Sequence, residues 1–118
     1  MAVTPSYRDF VLDQLGRVVP PVRSRAMFGG VGLYAGDLFF GLIARDILYF
    51  KVDDSNRPDY VARGLGPFLP YGDERETMQY YEVPPEVLED LEQLRPWAEK
   101  AVAVARSAKA QRRRGRQA

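Results

Sequence analysis

Gly30-x-Gly32-x-x-Ala35, with Asp53 about 20 residues beyond, has the spacing of a permissive dinucleotide fingerprint, in which glycines admit a pyrophosphate and a later acid holds the ribose. That chemistry needs a helix directly after the glycines, whose first amides face the phosphates. The residues that follow are strand-like around a turn, so the glycines are expected to serve a bulge or a close backbone approach within a sheet. No Gly-Lys-Ser/Thr follows them, which excludes a P-loop. Asp53-Asp54, with Asp59 nearby, offers the hard oxygens that Mg²⁺ or Ca²⁺ prefers. Adjacent positions at a strand end do not converge on one point, and capping of a helix start accounts for the same residues. Asp73-Glu74-Glu76 reads as a solvated loop, because no second catalytic partner is identifiable. No catalytic, cofactor-binding or metal-ligating residue is assigned, and no cofactor is expected.

Two further constellations concern binding. Phe28, Tyr34, Phe39, Phe40, Tyr49 and Phe50, beside Arg25 and Lys51, could form a stacking platform for single-stranded nucleic acid. Core packing is the expected role instead, because phosphate neutralisation needs a basic groove around the rings and the body of the chain is acidic. Arg112-Arg113-Arg114-x-Arg116 is the sharpest electrostatic feature. These four arginines are the candidate nucleic-acid contacts; the competing reading is a solubilising tail.

The 118 residues, 46% hydrophobic and 28% charged, fit one globular domain that needs no disulfide or metal to fold. The chain has no cysteine and no histidine. That removes thiol nucleophiles, Cys/His zinc sites and imidazole bases, so any catalysis would run on carboxylates, Lys, Tyr or Ser/Thr. No apolar leader opens the sequence and no window approaches a membrane span, so a cytoplasmic protein with no membrane contact is expected. All 16 acidic residues lie at or before Glu99; residues 1–105 carry about −5 and the last thirteen about +6.

The elements that must position these residues centre on 25–52, the most β-like stretch. Ala35-Gly36-Asp37 supplies a turn between strands at Val31–Tyr34 and Leu38–Ala44, and Arg45-Asp46 another before Ile47–Val52, making an antiparallel meander. Leu48, Phe50 and Val52 are expected to face the core, and Lys51 the wetter face. Thr4 and Pro5 suit an N-cap and first helical position, and Tyr7, Phe10, Val11, Leu15 and Val18 recur at helical spacing until Pro20-Pro21 ends the helix. Val22 to Phe28 leads into the sheet. A short helix over Arg57–Arg63 ends at Gly64; Leu65 to Gly72 is a packed loop, and Asp73 to Glu76 is expected to be the most mobile internal segment. Met78 to Val83 reads as a strand, Glu86 to Asp90 as a helical turn. A last helix begins near Gln93, keeps Pro96 near its first turn and docks through Leu94, Trp97, Ala98, Ala101, Val102 and Ala105. Past Arg106 its apolar stripe fades, so the expected domain is 4–105 with a flexible basic tail at 106–118. The fold class expected is α+β, a two-layer antiparallel sheet packed against N- and C-terminal helices.

Arg25-x-Met27-Phe28-Gly29-Gly30-x-Gly32-x-Tyr34, Leu48-Tyr49-Phe50-Lys51-Val52-Asp53, Pro67-Phe68, Tyr80-Tyr81-Glu82-Val83-Pro84 and Trp97 before an Ala-rich helix resemble, in order, the N-terminal domain of the TfoX/Sxy family. Tyr81 stands where many members have tryptophan. The resemblance implies an α+β domain and a link to transcriptional regulation of competence in bacteria, with members acting as coactivators beside a DNA-bound regulator. It implies a protein partner, a transcription regulator or polymerase component, and supplies no catalytic residues. Members carry a second helical domain, where this chain has the arginine-rich tail. The expected function is a non-enzymatic regulatory, protein-interaction domain. The alternatives are nucleic-acid contact through the tail, and a small-ligand protein or enzyme with a pocket between sheet and helices that uses Tyr34 and Tyr80 as polar handles. Oligomeric state is left open; a homodimer through a sheet edge is compatible with the pattern.

Overall fold

In a computed structural model, described for residues 3–19, 21–27, 29–68 and 79–117 with the side chains of 113–117 excepted, five strands pair in chain order into one antiparallel sheet. They are β1 (Val22–Met27), β2 (Gly30–Ala35), β3 (Leu38–Ala44), β4 (Ile47–Lys51) and β5 (Tyr80–Glu82). Four helices complete the fold: α1 (Pro5–Gly16), α2 (Arg57–Val61), α3 (Pro85–Leu88) and α4 (Leu91–Gln117). This is the expected α+β class, an open antiparallel sheet with N- and C-terminal helices. The Met78 start of the last strand and the Asp73–Glu76 segment lie outside the described residues.

The two hairpins form for different reasons. Gly36 takes φ 62° as the first of two residues between Ala35 and Leu38, the conformation a glycine adopts without steric cost. Arg45 and Asp46 both take positive φ (54° and 55°), the twist a two-residue type I′ turn requires, and neither is glycine. Asp46 is held there by α1: its carboxylate accepts from the Thr4 amide at 2.8 Å and from the Thr4 hydroxyl at 2.9 Å, while Thr4 Oγ1 caps the Tyr7 amide. The N-cap expected from sequence is therefore also a tie to the sheet.

The register shifts between Leu33 and Tyr34, where Gly41 and Phe39 are successive partners, so Phe40 is the extra residue of a bulge in β3. The bulge reverses the parity of the strand. Leu38, Phe40 and Ile43 reach the helix-side core with Leu33, Leu48, Phe50 and Val52. Phe39, Leu42 and Ala44 point to the opposite face. The Leu48 set faces the core as expected, and Leu48 and Phe50 are fully buried. Against this face pack Val11 and Leu15 of α1, Val87 and Leu88 of α3, and Leu94, Ala98, Ala101 and Ala105 of α4. Burying such side chains stabilises by roughly 1.5–3 kcal/mol each for the larger aliphatics.

Three helix expectations change. Helix α1 ends at Gly16, ahead of Pro20-Pro21, with Arg17 as its C-cap; Val18 is buried from the turn beyond, and Phe10 is 40% exposed rather than on the packed face. Helix α4 starts at Leu91, so Pro96 lies in its second turn; the Asp90 carboxylate accepts from the Glu92 amide and from Gln93 Nε2, each at 3.0 Å, and fixes the start. Its backbone also continues past Arg106 to Gln117. Ala, Lys, Gln and Arg there have high helix propensity, which carries the helix on after the apolar stripe is used up.

Candidate functional site

The sheet face opposite the helices is not the bare polar surface that alternation suggests. Cross-strand partners share a face, and the register places Arg23, Arg25 and Met27 of β1 beside Tyr34, Gly32 and Gly30 of β2. Further across stand Phe39, Leu42 and Ala44, then Tyr49 and Lys51, then Tyr80 and Glu82. Leu42, Ala44, Phe68 and Tyr80 are buried in a second, smaller cluster with Phe39 and Tyr49 against it. Phe68 reaches this face because Pro67 bridges Tyr81 and the Phe68 amide donates to the Tyr80 carbonyl at 2.6 Å; its ring sits 4.9 Å from that of Tyr49.

At the end of this face nearest the β2–β3 turn, rings form a row. Tyr34 stacks on Phe39 at 5.1 Å and 23°, and Phe39 meets Tyr80 at 5.5 Å and 38°. Cations close both ends: the Arg23 guanidinium lies 4.7 Å from the Tyr34 centroid and Lys51 Nζ 5.6 Å from that of Tyr80. Arg23 is fixed by donating Nε–H to the Gly36 carbonyl at 3.2 Å. Helix α4 passes the same edge, where Lys109 pairs with Asp37 of the β2–β3 turn. Arg112, one turn further and exposed, is close enough to act electrostatically on both Lys51 and Tyr80. Burial, then the Arg112 charge, pulls the Lys51 ammonium below its usual range. Burial pushes Tyr80 up to about 12, with the neighbouring Tyr34 adding to the rise and Arg112 opposing it. Among the described residues no carboxylate pairs with Lys51. Besides the Lys109–Asp37 pair, the site therefore presents cations and phenol hydroxyls, chemistry suited to holding an anion.

Tyr34 and Tyr80 do not line a space between sheet and helices, as the small-ligand alternative supposed; strand parity puts both on the helix-free face. The stacking platform also changes form. Phe40 and Phe50 are in the helix-side core, Phe28 lies outside the described residues, and the faces of Tyr34 and Phe39 are occupied by each other and by Arg23.

The glycine-rich stretch is β2, followed by a turn and β3. A Cβ at Gly30 would stand 2.6 Å from the Ile43 carbonyl oxygen, which is the close backbone approach expected of it, and Gly29 turns the chain before β2 at φ 77°. Asp53, Asp54 and Asp59 go separate ways: Asp53 accepts from the Ser55 amide at 2.8 Å, Asp54 pairs with Arg57, and Asp59 with Lys100 at 2.8 Å. No group of three acidic side chains poised for a metal occurs among the described residues. The capping expectation is corrected in detail, since these oxygens hold the turn and the N-cap Asn56 makes no side-chain bond to α2. Asn56, which the sequence offers with Asp53, Asp54 and Ser55 as a cap of the helix start, has another role. It is 1% exposed, accepts from the Asp53 amide at 2.9 Å and donates to the Lys51 carbonyl at 3.1 Å, clamping the end of β4 beside the site.

Val52 is buried, Tyr81 and Trp97 pack on Tyr60 at 5.8 and 4.5 Å, and Pro84 precedes α3. Arg113, Arg114 and Arg116 lie on the α4 backbone; of the four tail arginines only Arg112 has a described side chain.

Comparison with known families settles the relationship. The TfoX N-terminal domain family matches residues 13–105. The chain belongs to this family. No curated protein matches it in sequence. The matched span covers the whole sheet and the docked part of α4 and stops before Lys109 and Arg112, so the cationic end of the site combines the matched sheet with residues beyond the matched span. No helix among the described residues is long and apolar enough to cross a membrane.

Proposed function

We propose that this TfoX N-terminal domain is a non-enzymatic regulatory module that works through protein contacts, its partner a transcription regulator or polymerase component in the bacterial cytoplasm, in the control of competence. Family membership carries the reading. A suitable surface supports it: the outer edge of β5 is occupied by Gly66–Phe68, whose backbone bonds to Tyr80 and Glu82, whereas no strand pairs with the outer edge of β1 among the described residues. An open edge of six residues is a template for strand addition by a partner. Arg23 and Arg25 stand along it, which favours an acidic partner segment and disfavours self-pairing, since two copies would bring four arginines together.

Affinity capture from the native cells with the full chain, after nuclease treatment and at moderate salt, is the test. A transcription regulator or polymerase subunit retained by the wild type and reduced by Arg25→Glu is the expected result. Recovery of no such protein would sink the reading.

A further inference from the structure

We propose that the end of the helix-free face, where α4 overhangs the β2–β3 turn, binds the phosphodiester backbone of double-stranded DNA, with Lys51 and Arg112 as phosphate contacts and Arg23 beside them. The inference is independent of the protein partner.

Three observations converge on it. Arg112, remote in sequence from Lys51, stands one helical turn beyond the Lys109–Asp37 pair and so at the same end of the sheet, and its charge acts on Lys51 although like charges repel. The Lys109–Asp37 pair and the Arg23–Gly36 bond fasten helix and sheet to the same turn, so the cations are presented from a scaffold rather than from a loose tail. A half-buried Lys51 against the Tyr80 ring has lost part of its hydration, and an anion restores what was removed. Past this point α4 carries Arg113, Arg114 and Arg116 on, while the rest of the chain is acidic and repels the duplex elsewhere.

The choice of duplex over single strand follows from the rings. A single strand is held by bases stacking on free aromatic faces, and here the Tyr34 and Phe39 faces are taken by neighbours in the row. What remains is backbone contact, which reads no sequence.

Fluorescence anisotropy of a short labelled duplex of arbitrary sequence, titrated with the full chain across salt concentrations, tests this. Binding in the non-specific range, Kd about 10⁻⁴ to 10⁻⁶ M at physiological salt, is expected. Lys51→Gln and Arg112→Gln each weaken it several-fold and make the log K against log[salt] slope shallower by about 0.9. Lys51→Arg keeps the charge and retains binding. Arg63→Gln makes the same charge change where Arg63 lies on Trp97 and bonds Gln93, roughly 28 Å along α4 from Arg112, and leaves affinity unchanged. Thermal melts of the four variants establish that each is folded. Equal binding by wild type and Lys51→Gln, an equal loss in Arg63→Gln, or tighter binding of a single strand of the same sequence would each overturn the proposal. Partner capture that survives nuclease is unaffected by any of these results, so the two readings fail separately.

Discussion

Tyr60 shows at the scale of one residue how the packing of this domain sets its chemistry. Its ring is 1% exposed between Tyr81 and Trp97, and its hydroxyl has no hydrogen-bond partner among the described residues. A buried hydroxyl without a partner keeps its desolvation cost. That same burial drives the phenol far above its usual range, with Asp59 nearby adding to the rise. Tyr60→Phe removes the oxygen and keeps the ring, so urea unfolding of the variant should show stability unchanged or raised by up to about 1 kcal/mol. A loss of about 1 kcal/mol or more would mean that the hydroxyl is satisfied. At this scale the sequence was legible where a residue acts locally: Thr4 as an N-cap is read from its place before Pro5. Asn56 was not, because its value lies in two backbone groups flanking a turn whose shape only the fold supplies.

At the scale of elements, close strand pairing separates glycines that look alike in sequence. A Cβ at Gly30 would press on the Ile43 carbonyl oxygen at 2.6 Å, and backbone paired in a sheet cannot withdraw; at Gly32 the same 2.6 Å contact is with the end of the Met27 side chain, which can rotate away. Gly30→Ala should therefore cost about 1–3 kcal/mol and Gly32→Ala less than about 1 kcal/mol, measured by chemical denaturation. Equal costs would contradict the register. The strands themselves were legible because turn residues bracket them and β4 alternates cleanly. The bulge at Phe40 was not, since Leu38 to Ile43 is an almost unbroken apolar run in which a reversal of parity leaves no periodic trace. That one unseen residue hides the place of Phe39 on the helix-free face, whereas the face of Tyr80 follows from its pairing with Lys51 across β4, which is a matter of topology. The reach of α4 was hidden for a different reason: amphipathicity marks where a helix docks, and propensity decides how far it goes on.

The whole molecule joins two features that the sequence kept apart, an aromatic sheet and a basic C-terminal run. Its acidic body and basic end were countable from composition, but their meeting at Lys51 and Arg112 is a property of topology. Alkaline pH reads out the burial on both faces of the sheet. Burial, first among the causes in each case, raises Tyr7 and Tyr80 to about 12 from 10.0. Between about pH 10 and 12 the unfolded chain therefore binds fewer protons than the folded one, and stability falls as pH rises. Lys51 acts in the opposite sense below its ordinary 10.5, because its folded pKa is lowered; above that only the phenols remain. Urea midpoints should fall across this window, and Tyr80→Phe should fall less than the wild type; a flat profile would contradict the burial assigned to Tyr80.

Hydrogen exchange on the full chain, alone and saturated with the captured partner, tests the protein-contact account most directly. Strand addition at the open edge predicts slowed exchange at β1 amides, residues 22–27, with β5 unchanged. Protection confined to other elements, with β1 exchanging as in the free protein, would contradict it.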